Sequence, residues 1–135
     1  MPYGSGRAVF RASRRLDAGS VILATARSES AYPDQRPAEY VAVMQAAALR
    51  EGFVGPLFVQ GDHVQVNAKK YAADPETELR AIRSLIEEEV AAGFFNIDVD
   101  TSTLVDLSQP TLDAQQRVNY ERAAELTLYV RSHEP

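Results

Sequence analysis

Three short apolar runs, SVILATA (residues 20–26), PLFVQ (56–60) and FFNIDVD (94–100), recur at nearly even intervals along the chain. Each has the length and β-favouring composition of a strand buried on both faces, as in a parallel sheet. Helical patterns fill the intervals between them. A helix between each pair of strands implies βαβ crossovers, so the expected class is α/β with a parallel sheet, in the order α-β-α-β-α-β-α.

The helices carry their own boundary signals. Residues 38–51 are rich in Ala, Val, Met and Leu and stop at Gly52, a natural helix end. Asp74 suits an N-cap and Pro75 the first helical position, where its missing N–H costs nothing. Leu79, Ile82, Ile86 and Val90 then recur at three- and four-residue steps and make one apolar face. Glu76 and Arg80 stand four apart in the favourable order, and Gly93 closes the helix. A last helix is expected over 111–129, with Leu112, Ala123, Leu126 and Val130 as candidate buried positions, and a first one over 7–17. The segments 28–37 and 64–73 read as loops.

The chain has 135 residues, which suits one domain, 1–135, and 45% of them are hydrophobic, enough for a core. A net charge of −5 argues against general binding to nucleic acid or anionic membranes. There is no cysteine, so disulfides and thiolate zinc sites are out. No apolar run is long enough to span a bilayer, and the basic N-terminus lacks the apolar centre of a secretory signal. The expectation is a soluble, cytoplasmic protein.

In parallel α/β folds the working residues collect at the carboxyl ends of the strands. Three clusters fall there: Thr25, Arg27, Ser28 and Glu29; Asp62 and His63; and Asp98, Asp100, Thr101 and Ser102. An Asp-His pair at a strand end serves either as a hydrogen-bonded cap or as chemistry. Asp98 and Asp100 share one face of their strand by period-two alternation. Two acids on a buried face need partners, either a metal or a cation such as Arg27. Glu87, Glu88 and Glu89 read as a solvated helix face, Lys69 and Lys70 as exposed loop residues, and His133 as part of a frayed tail.

These clusters resemble the metal-dependent class II ketose-bisphosphate aldolases, including the tagatose-bisphosphate branch, over most of the chain. The family's Asp-His pair at a strand end is matched by Asp62-His63. Its Ile-Asp-(small)-Ser pattern is matched by Val99-Asp100-Thr101-Ser102, and its preceding loop by ARSES (26–30). Gln60 stands where the family usually has a further histidine, and Val64 where it has a small residue.

The resemblance implies a (β/α)8 barrel and aldol cleavage of a ketose bisphosphate into dihydroxyacetone phosphate and an aldehyde phosphate. It assigns His63 and Asp100 to a divalent metal, usually zinc, which acts as a Lewis acid. It assigns Asp62 to proton transfer, and Ser28, Asn67 and Ser102 to the phosphorylated sugar.

A full barrel takes roughly 250 residues, so three strands imply a partial barrel, a fragment with an incomplete site and weak or absent metal binding. Open strand edges imply association, as a homo-oligomer or through those edges. Two alternatives stand beside this one. The first is a non-catalytic subunit of tagatose-bisphosphate aldolase, which GDH followed by Asn67 also resembles. The second is a small flavodoxin-like binding domain with helices on both faces of its sheet.

Overall fold

The computed structural model describes residues 3–134. They form α1 (Tyr3–Arg15), β1 (Val21–Ala26), α2 (Arg27–Ala31), α3 (Pro37–Glu51), β2 (Leu57–Gln65), α4 (Ala68–Ala73), α5 (Pro75–Ala91), β3 (Asn96–Asp100), a 3-10 turn over Ser102–Leu104, and α6 (Leu112–His133). The strands make one parallel sheet in the order β1-β2-β3. The expected alternation is therefore present. Both segments read as loops contain a short helix, α2 and α4. His133 belongs to the last turn of α6, where its ring packs on Tyr129 at 4.3 Å between centroids, so it is not a frayed tail.

Local chemistry explains the helix boundaries. The Asp74 side chain accepts the Thr77 N–H at 3.1 Å ahead of Pro75, which starts α5. Thr111 accepts the Ala114 N–H at 3.2 Å and starts α6. Gly52 ends α3 at φ 66°, a left-handed conformation that glycine adopts without a Cβ clash.

Sequential strand order with crossovers of one hand keeps the long helices on a single side of the sheet. Val21, Leu23 and Val59 join Phe10, Tyr40, Met44 and Phe94 in one core under α1 and α3. Val64 and Val66 join Leu79, Ile82, Ile86, Leu126 and Val130 in a second core under α5 and α6. The other face of the sheet is uncovered. Ile22 is 64% exposed there, and Phe95, which packs on Phe58, is 75% exposed.

The strands are thus buried on one face, not two. Their apolar runs look two-sided because the open face carries apolar residues at its amino end. A flavodoxin-like sheet, covered by helices on both faces, is not what the described residues form. No helix among them is long and apolar enough to cross a membrane.

Candidate functional site: a bulged rim on the open face

Asp62 and His63 do not end their strand. They lie inside β2, which runs on to Gln65. Gly61 pairs with Ile97 and Val64 with Val99, so two residues of β2 stand opposite Asp98 alone. This is a β-bulge, which bends a strand and re-aims its side chains. Without it, alternation from Val59 would leave Val64 on the open face and put His63 against the helices. With it, Val59, Val64 and Val66 all reach the cores, and Asp62 and His63 both line the open cleft. His63 takes φ 51°, the left-handed region, where histidine is among the more tolerated residues. Its N–H donates to Asp98 Oδ2 at 3.2 Å, which ties the bulge to β3.

Asp100 lies beside the bulge. Its Oδ1 accepts the Ser102 N–H at 2.9 Å and the Ser102 hydroxyl at 2.6 Å. Its Oδ2 accepts the Gln65 side-chain amide at 2.6 Å and lies 3.2 Å from His63 Nδ1. Burial pushes this carboxyl up, but the bonds from Ser102, Gln65 and His63 outweigh it and hold the group at about 2. In return, the bond to Asp100 first, then the charge of Asp62, raises the His63 imidazole above its ordinary value.

A cleft of about 660 Å³ opens in front of Asp62 and His63, lined also by Arg27, Ser28, Glu29, Asn67 and Lys70. Arg27 reaches neither Asp98 nor Asp100. Its Nη1 donates to the Gln65 carbonyl at 2.8 Å and to Glu78 Oε1 at 2.5 Å. Glu78 also accepts the Asn67 N–H at 2.8 Å, so one buried carboxylate fastens the ends of β1 and β2 to α5. The Asn67 side chain caps α4 by accepting the Lys70 N–H at 3.0 Å. Ser28 and Lys70 are exposed in the cleft wall. Thr25 and Thr101 are buried and turned away, Thr25 toward Ser30 and Thr101 toward Asn119.

The run Glu87–Glu88–Glu89 is not a solvated face throughout. Glu89 is 1% exposed, and its Oε2 has no hydrogen-bond partner among the described residues. It sits directly behind the bulge: a Cβ at Gly61 would lie 2.5 Å from that oxygen. Burial, with Glu88 adding to it, pushes the Glu89 carboxyl up to about 8. The sequence pattern singled out neither Gln65 nor Glu78, and placed Glu89 on a solvated face. For the two glutamates a signal exists, because Glu78 and Glu89 fall on the stripe of Leu79, Ile82 and Ile86.

A catalytic zinc takes three protein ligands. Among the described residues, no three His, Cys, Asp or Glu side chains come together as a metal-holding group. No family model, curated protein or solved structure matches the chain.

Proposed function

We propose that the chain is an arc of a (β/α)8 barrel of the class II ketose-bisphosphate aldolase type, with the bulged rim as part of its active site. One observation carries this reading: the bulge in the middle strand turns an acid and an imidazole onto the open face, at the carboxyl ends of three sequential parallel strands. Barrel enzymes keep their chemistry at that end. The open face itself adds support. It is apolar at its amino end, through Ile22, Phe58 and Phe95, and acidic at its carboxyl end, through Asp62, Asp98 and Asp100. A barrel interior is likewise packed with side chains below the site.

In this reading the substrate is a phosphorylated ketose. Asp62, whose carboxylate has no hydrogen-bond partner among the described residues, takes the proton of the hydroxyl next to the cleaved carbon–carbon bond. Ser28, Asn67 and Ser102 border the substrate. Zinc or another divalent metal belongs to the reading only with ligands beyond His63, supplied by strands that pair with the free edges of β1 and β3. Those edges and the uncovered apolar face favour association with a further copy or another polypeptide. The cytoplasm is the matching compartment for sugar-phosphate chemistry.

The test uses the assembly purified through a tag on this chain. Release of dihydroxyacetone phosphate from fructose and tagatose bisphosphates is measured together with bound metal. His63→Ala is expected to lose metal and turnover together. Asp62→Ala is expected to keep the metal and lose turnover. Full turnover in both variants would overturn the proposal. Bound metal with no turnover in the unaltered assembly would instead assign the chain to a non-catalytic subunit.

A further inference from the structure

We infer that Asp100, clamped by Ser102 and Gln65, is a positioning residue that fixes His63 as the Nδ1–H tautomer and leaves Nε2 as its working nitrogen. The functional meaning rests on reading the rim as an active site; the geometry of the contact does not. The His63 side chain is 62% exposed on a bulge, whereas that of Asp100 is 12% exposed. The exposed ring is thus held by a part-buried anchor. Two donors from Ser102 occupy one carboxylate oxygen, and the Gln65 amide occupies the other, where the ring also docks.

The direction of the ring contact follows from the carboxylate's charge. Both Asp100 oxygens accept from protein donors, Oδ1 from Ser102 and Oδ2 from the Gln65 amide, so the group stands as a carboxylate with no proton to donate. At neutral charge, the proton in the contact must therefore be on Nδ1, and the lone pair must be on Nε2. A free imidazole favours the opposite tautomer, so the carboxylate reverses an intrinsic preference. A carboxylate behind the far ring nitrogen is also how ligating or proton-transferring histidines are oriented and made more basic. Both Asp100 oxygens are already engaged, so this residue acts on the site through His63.

The chain has only two histidines, His63 and His133, so long-range proton–nitrogen NMR correlation on the ¹⁵N-labelled full chain resolves both rings. Spectra are recorded at a pH where both are neutral, and His63→Gln assigns the signals. The expected result is Nδ1–H for His63 in the unaltered chain and a change to predominantly Nε2–H in Asp100→Ala, with His133 unchanged as the folding control. Nε2–H in the unaltered chain would overturn the inference whether or not any variant folds. Retention of Nδ1–H in a folded Asp100→Ala chain would overturn it as well. The readout needs neither metal nor substrate. Its failure is therefore distinguishable from failure of the aldolase proposal, which is read by turnover.

Discussion

The two ends of α5 each bury a glutamate, and the surroundings treat the two carboxylates in opposite ways. Near the amino end, Glu78 is 2% exposed and receives Arg27 and the Asn67 N–H. Burial alone would raise its pKa, but the Arg27 bond and then the Asn67 bond lower it. The positive end of the helix macrodipole acts in the same direction. Near the carboxyl end, Glu89 has an oxygen without a donor and lies where the macrodipole opposes a negative charge. Both side chains are closed to solvent, but Glu89 lies deeper in the protein and Glu78 alone has donors. Depth and the supply of donors together decide which carboxylate stays ionised, and so which part of the fold tightens or loosens with pH.

The largest expected effect is loss of the paired end. Glu78→Ala leaves the Arg27 guanidinium and the Asn67 N–H without their acceptor. It should cost about 3 kcal/mol or more, the range for breaking a buried pair from one side, read as a lower urea midpoint at neutral pH with an unchanged m-value. Because the folded pKa of Glu78 lies below its unfolded value, its contribution is full above the unfolded pKa. It is lost as pH falls through the folded pKa. Glu78→Gln should flatten that acid limb.

The unpaired end should respond with the opposite sign. With Glu89 at about 8 when folded and 4.5 as its ordinary value, the folded state holds the extra proton between those two points. Stability should therefore fall as pH rises from 4.5 to 8 and level off above. Glu89→Gln should remove this slope and raise stability by roughly 2–4 kcal/mol above pH 8, from the size of the shift. Near pH 4 it should change little. A stability profile that is the same in both chains would mean the carboxyl finds a donor in solution.

A smaller effect tests the contact between Glu89 and the bulge. Gly61→Ala puts a methyl group 2.5 Å from Glu89 Oε2 and 3.0 Å from Val64 Cγ2. It should cost about 1–3 kcal/mol, as overpacking does. In a double-mutant cycle with Glu89→Ala the loss should be less than additive, because the truncated side chain vacates the space. Additive costs would show that the glutamate does not press on Gly61.

The smallest effect is expected at His63. His63→Gly relieves a left-handed backbone that glycine adopts at less cost than histidine. Its melting temperature should rise slightly, less than any change above. A marked fall would mean that the ring's bond to Asp100 stabilises the bulge more than its backbone strain costs.

Much of this architecture is visible in local pattern. The stripe Leu79, Ile82 and Ile86, the Asp74–Pro75 start and the Gly52 stop are short-range signals, and each corresponds to a helix boundary or a buried face. The same stripe contains Glu78 and Glu89, so their burial is legible once the helical wheel takes precedence over residue type. The bulge is not legible. Gln60-Gly61-Asp62-His63 reads as a polar break after an apolar run, and only the pairing with β3 shows that the strand continues and absorbs an extra residue. Arg27 likewise sits beside the acids of β3 in any list of strand ends. Its actual partner, Glu78, lies on a helix that packs beneath them.

The sequence by itself determined the long helices, the three parallel strands and the collection of Asp62, His63, Asp98 and Asp100 at one edge, because these depend on periodicity, caps and chain order. Only the tertiary structure decided which face of the sheet is open, which carboxylates are paired, and that Asp62 and His63 point together into one cleft. Those outcomes depend on register and on donors brought from distant positions, such as Arg27 to Glu78 and Ser102 and Gln65 to Asp100. A single extra residue in β2 reverses the side on which every later side chain falls.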